Sequence, residues 1–391
     1  MSENIRHRSF SSAHIGHLPT DATHCSCAKR LVVPVVLLAA WFATDAACAQ
    51  NLMGSVNVHD PSSVLEVNGR YFLYYTGTRV TSKFSDDLIH WNQGPRVFSS
   101  PPAWTSMSVP GNTNGNFWAP DVAYFNNLYH LYYSVSTFGS QDSAIGLATS
   151  PTLDPRDPAY QWTDRGPVIE SNVGSAYNAI DPSIIQSSTG EIWMAFGSFW
   201  NGIYARRIDP STGLAMAAVR GSIVGPLHLA FNSSIEASYM YERDGFYYLF
   251  VNWGACCQGK NSTYNIRVGR STNIIGPYLD QNGVNLINRG GTLFLGTEEN
   301  FIGPGHISIF TAQGSEWFGY HYYDGNTTNG TSKYNLRAMR WTDDGWPVAG
   351  PAFPVPEPSS LLVAMTAVGV LSTARRQFWR RESGLGRRQL D

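Results

Sequence analysis

Charge is scarce in this chain. Asp, Glu, Lys and Arg supply 14% of its 391 residues, against about 25% in an ordinary soluble domain. Between residues 50 and 353 the bases gather into no stripe, and acids outnumber them. Nucleic acid is therefore not an expected partner. Long amphipathic periodicity is missing from the same span, so helices should be few. Of five cysteines only Cys256 and Cys257 fall within it, which excludes a framework of long-range disulfides. Neighbouring Cα atoms stand no more than ~3.8 Å apart, below the usual disulfide range. A strained bond between the two and a pair of free thiols both stay open.

Long apolar runs are confined to the two ends. Lys29-Arg30 precede Leu31 to Ala43, and Ala47-Cys48-Ala49 forms a small-x-small cleavage site before Gln50. That is the pattern of a secretory signal within a leader, residues 1–49. At the other end Val355-Pro356-Glu357-Pro358-Ser359-Ser360 leads into an apolar stretch closed by Arg375-Arg376. Residues 359–374 fall a little short of a comfortable bilayer span. The tail, residues 354–391, resembles the PEP-CTERM sorting signal of Gram-negative bacteria. That resemblance implies a sorting transpeptidase as partner and transient anchoring in the inner membrane. It also implies an exported product in the periplasm, on the cell surface or outside the cell.

Between the ends the chain is rich in glycine (37 in all) and in aromatic residues, 13%. These fall into five repeats. The first opens with His59-Asp60-Pro61-Ser62 and the second with Ala119-Pro120-Asp121-Val122. The third opens with Asn178-Ala179-Ile180-Asp181-Pro182-Ser183, the fourth with Ile235-Glu236-Ala237-Ser238 and the fifth with Gly305-His306-Ile307-Ser308. With Asp60, Asp121, Asp181, Glu236 and His306 as polar leaders, the spacings are 61, 60, 55 and 70 residues. An aromatic strand follows each leader, from Tyr71 to Tyr75 in the first repeat and from Trp317 to Tyr322 in the last. Turn pairs such as Asn68-Gly69 and Asp244-Gly245 separate the two strands. Five strand-led units of this length predict an all-β, five-bladed β-propeller over residues 50–353, with no blade strand beyond Val348.

A propeller gathers the starts of its innermost strands at one mouth, so the five leaders are expected to meet in one pocket. Carboxylates crowded there drive their pKa values apart, leaving one protonated and one ionised. That is what glycoside hydrolysis by two carboxylates requires. Asn116-Phe117-Trp118, Phe138-Gly139, Gly197-Ser198-Phe199-Trp200 and Asn252-Trp253-Gly254 add aromatic faces and hydroxyls suited to sugars. A non-catalytic propeller lectin would use the same loops but would have no need of paired acids.

Together with Gly303-Pro304-Gly305-His306, these motifs resemble glycoside hydrolase family 43 over roughly residues 54–350. The likeness is strongest to the arabinanases that cut α-1,5-linked L-arabinan. It implies an inverting mechanism with Asp60 as general base, Glu236 as general acid, and Asp181 orienting the acid and raising its pKa. Substrate contacts are implied from Gly139, Asn178, Ala179, Ile180, Ser198, Phe199 and Trp200. A metal, calcium in kind, is implied at His306 near the channel centre, with no organic cofactor. Asp121 receives no role. The expected enzyme is a monomer that cleaves plant cell-wall arabinan or arabino-oligosaccharides internally. An exo-acting α-L-arabinofuranosidase or a β-xylosidase is the alternative on the same residues.

Overall fold

Five sheets, antiparallel except where Met53–Gly54 joins the first, follow one another along the chain in the computed structural model, which describes residues 52–217 and 223–350. Their innermost strands are Leu65–Val67, Asn116–Phe125, Ser183–Gln186, Ile235–Arg243 and Phe301–Ala312. The second strands are Arg70–Tyr75, Leu128–Val135, Ile192–Phe196, Phe246–Trp253 and Ser315–Asp324. This is the five-bladed propeller that the repeats predict. Thr105–Ser108 is the single α-helix among the described residues, and no described helix is long and apolar enough to cross a membrane. The last strand, Pro347–Ala349, ends one residue past the expected limit. Both terminal signals lie outside the described residues.

Local chemistry explains the hairpins. Asn68-Gly69, Asn126-Asn127, Asp244-Gly245 and Gln313-Gly314 all have positive φ at both positions. This is the turn whose twist matches that of the flanking strands. The buried aromatic and aliphatic side chains then pack between blades. Five apolar clusters result, one at each interface, the last joining Val64, Leu73 and Trp91 of blade 1 to Phe310, Tyr334 and Leu336 of blade 5. The N-terminal segment helps close this final interface. Met53–Gly54 pairs with His90 and Trp91 of blade 1, and Tyr334 N–H donates to Val56 O at 2.8 Å.

Each inner strand, or the segment leading into it, is kinked at one left-handed residue: Asp60 (φ 50°), Ala119 (42°), Asp181 (57°), Ala237 (51°) and His306 (57°). Opposite the residue before each kink, on the second strand or just past its end, stand Thr76, Ser134, Gly197, Asn252 and His321 in turn. These positions tie each blade to the next. Asp60 N–H donates to His321 Nδ1 at 3.1 Å, Ala119 N–H to Thr76 Oγ1 at 2.9 Å and Asp181 N–H to Ser134 Oγ at 2.9 Å. His306 N–H donates to Asn252 Oδ1 at 3.1 Å. Gly197 has no side chain to offer Ala237, and Asp181 Oδ2 accepts that N–H instead, at 3.1 Å.

The kinks correct the phase of the sequence repeat. Asp60, Asp181 and His306 are equivalent, but Glu236 stands one residue before the kink and Asp121 two after it. Asp121 consequently sits among the blades. Its two oxygens accept the N–H groups of Ser63 (2.9 Å) and Ile184 (2.8 Å), pinning the inner strands of blades 1 and 3 to blade 2.

Candidate active site

A cleft of about 1140 Å³ opens over one mouth of the propeller and draws residues from all five blades. Asp60, Asp181 and Glu236 line it, whereas Asp121 and His306 are not among its lining residues. Of the substrate contacts expected from the sequence, Gly139, Asn178, Ile180, Ser198, Phe199 and Trp200 also line it. Ala179 does not. Fully buried, it packs in the apolar cluster between blades 2 and 3. Trp253, offered by the sequence as a stacking surface, is also outside the lining, and its ring carries the Arg267 guanidinium at 4.4 Å. Phe138 stands 81% exposed at the rim, beside partly exposed Phe199 and Trp200.

Asp60 is held on one side only. Thr76 Oγ1 donates to its Oδ2 at 2.6 Å, and His59 Nδ1 lies 2.8 Å from the same oxygen. Oδ1 has His306 and His321 at 3.5 and 3.6 Å, too far for hydrogen bonds. Burial would raise this carboxyl. His59, with His306 and His321 behind it, outweighs burial and keeps Asp60 far below the usual carboxylate range. Asp60 is therefore ionised at any ordinary pH.

Glu236 is the opposite case. Ser198 Oγ bonds its Oε2 at 2.6 Å, and the Tyr264 hydroxyl bonds Oε1. Burial pushes the Glu236 carboxyl up to about 7, against the Ser198 hydrogen bond and with the charge of Asp60 adding to the rise. Asp181 is raised too, by burial and then by Glu236 and Asp60, so the two neighbouring carboxyls keep a proton between them. The surroundings of the two carboxyls differ. Hydroxyl partners can accept as well as donate, whereas the Ala237 N–H on Asp181 only donates and so favours a charged acceptor.

The donors around His306 suit calcium poorly. Calcium takes 6–8 oxygen ligands, but here a single carboxylate is ringed by three imidazoles, and its Oδ2 is already engaged. These residues do not form an all-protein calcium shell. His59, Asp60 and His321 also cluster closely, yet His59 Nδ1 and His321 Nδ1 are committed to Asp60 itself.

Several site residues escape a reading of the sequence. Thr76, His59, Tyr264 and Tyr323 all line the cleft. Thr76 had a usable signal, since it follows an aromatic strand as Ser198 does. Tyr264 and Tyr323 had none, because other tyrosines fill strands throughout the chain. The open question at Cys256 and Cys257 is answered by a disulfide between them, placed on the cleft wall.

A sugar-sized cleft on a five-bladed propeller, lined by one carboxyl held low and two pushed up and rimmed by aromatic rings, defines a glycoside hydrolase. The chain belongs to glycosyl hydrolases family 43, whose family model matches residues 50–347. It is 36% identical over 311 residues to the extracellular exo-α-(1→5)-L-arabinofuranosidase ArbA of Cellvibrio japonicus, covering 77% of this chain and 89% of that protein. To the extracellular endo-α-(1→5)-L-arabinanase 1 of Bacillus subtilis it is 38% identical over 296 residues, covering 74% and 87%. A solved exo-1,5-α-L-arabinanase from a bovine ruminal metagenomic library matches with a TM-score of 0.71 at 38% identity, covering 75% of this chain and 97% of that one.

Proposed function

We propose that this enzyme hydrolyses internal α-1,5-L-arabinofuranosidic bonds of arabinan with inversion, Asp60 acting as base and Glu236 as acid. The observation that carries the reading is the opposite pKa shift of two carboxyls that line one cleft, Asp60 downward and Glu236 upward. Asp60 Oδ1, the oxygen without a hydrogen-bond partner in the fold, takes a proton from water. The water oxygen bonds the anomeric carbon while the glycosidic C–O bond breaks. Glu236 gives its proton to the departing oxygen. Asp181 holds the Ala237 N–H, and so fixes the backbone on which Glu236 sits.

Substrate class follows from the relatives' named activities together with the shape of the cleft. Its volume is above the ~300–1,000 Å³ of an ordinary small-molecule pocket, which suits several furanose rings in a row and hence internal cleavage. The exo alternative has its own support. At one end the loops of blades 4 and 5 meet so tightly that a Cβ on Gly259 would come 2.0 Å from Asn329 O. Digestion of linear 1,5-arabinan, followed by proton NMR in the first minutes, separates the readings. A range of oligosaccharides with β-configured new ends is expected. Arabinose alone from the outset would establish exo action, and an initial α anomer would overturn inversion.

No step is routed through an ion at His306, for the reason given by the donor set. Export, with sorting by the C-terminal tail and a monomeric product, completes the proposal. It draws support from the terminal sequence patterns and from relatives named as extracellular.

A further inference from the structure

The Cys256–Cys257 disulfide takes no part in the chemistry above, yet it forms part of the cleft wall. A bond between adjacent cysteines closes both side chains and the intervening peptide into one small, stiff ring. Cys257 is exposed and left-handed at φ 65°. Its N–H donates to Tyr323 Oη at 2.7 Å, and Tyr323 Oη bonds His59 Nε2 at 2.8 Å. The ring is thus fixed to the same frame that holds Asp60. Behind it the loop cannot retreat, since Gly259 lies hard against Asn329 and Gly330 against Lys260.

The chemistry of this wall is one-sided. Ala255 to Gly259 and Asn329-Gly330 line the cleft here without a single aromatic ring. The rim aromatics Phe138, Phe199 and Trp200 stand on blades 2 and 3, and of these only blade 3 adjoins blade 4. Tyr264 and Tyr323 line the cleft too, but their hydroxyls are engaged by Glu236 and by His59 and Cys257. The apolar surface that the 255–259 loop itself offers to a sugar is sulfur and methylene, the rings of Tyr264, Tyr323 and Phe231 lining other parts of the cleft.

We propose that the Cys256–Cys257 ring is a specificity-determining contact, a rigid platform for the apolar face of a substrate sugar away from the aromatic rim. Polarizable sulfur gives dispersion contact to C–H groups. A preformed ring also loses little freedom when the sugar binds. That the sugar is a furanose of arabinan rests on the function proposed above.

The test compares the wild type with the double variant Cys256→Ser, Cys257→Ser, and with wild type opened by a water-soluble phosphine. In that reaction each sulfur gains a hydrogen, and the phosphine takes the oxygen of one water to become its oxide. Mass spectrometry counts the thiols formed. On arabinohexaose and linear arabinan, KM should rise about tenfold in both samples, the loss of one good contact, with kcat within about threefold. An unchanged KM would overturn the proposal. So would a fall in kcat at constant KM, or a loss of melting temperature that accounts for the activity change, since either makes the ring a structural staple. Should the double variant not fold, the phosphine-treated enzyme decides. Wild type that cleaves xylan oligosaccharides but not arabinan would sink the arabinan reading alone, and the ring is then judged by KM on the xylan substrate.

Discussion

At the scale of single residues, the site separates two carboxyls by what surrounds them. Histidines hold Asp60 charged, while burial holds Glu236 protonated. Replacing Glu236 by Gln should lower the rate on arabinan about 10²–10⁴-fold, the usual worth of a positioned acid. An aryl arabinoside with a good leaving group needs no proton and should recover most of that loss. Asp60→Asn should show no such recovery, because the water still lacks its base. Equal rescue of both variants would remove the distinction between them. The pH profile carries the same signature. Glu236 must be protonated, so kcat/KM should fall as pH rises through about 7. Asp60 must be ionised and is already so far below that, leaving the acid limb beneath the ordinary carboxylate range. A basic limb two units higher would exclude Glu236 as the titrating acid.

At the scale of strands and turns, the left-handed kink and its hydrogen bond to the preceding blade are what repeat. Asp121 serves this layer rather than the chemistry. Asp121→Ala would leave the Ser63 and Ile184 N–H groups without their acceptor, at a cost of about 2–4 kcal/mol. Urea denaturation should show that loss, with kcat near wild type well below the melting temperature. A large drop in kcat with unchanged stability would place Asp121 in the reaction after all. The element scale also shows what could be read from the sequence. Repeat length, hairpin turns and three cleft acids are legible because each rests on local residue types. The phase of the repeat is not. Its marker is a backbone angle, and at Ala119 and Ala237 no side chain advertises it. Aligning acid to acid therefore moved Glu236 by one position and Asp121 by two. Tyr264 and Tyr323 stayed hidden for a related reason, since the folding of blade 4 brings Tyr264 to Glu236 and ring closure brings Tyr323 to His59.

At the scale of the whole molecule, the blades end with Pro347–Ala349. A chain stopped at residue 353 should therefore fold and keep its full rate on arabinan, while losing any membrane association that the tail confers. Fractionation and activity of the two forms test this together, and an unfolded short form would assign the tail to the propeller. The closure between first and last blades has a further consequence, for synthesis. Asp60 and His59 lie near the start of the propeller, but His321 and Tyr323, which hold them, come from its last blade. A ribosome finishing blade 4 has already made the acid, its hydroxyl partners and the aromatic rim, yet the base still has no frame. The hydrolase is thus without the frame of its base until its final sheet is in place, and a fragment released early also lacks the share of the cleft that Tyr323, Asn329 and Gly330 supply.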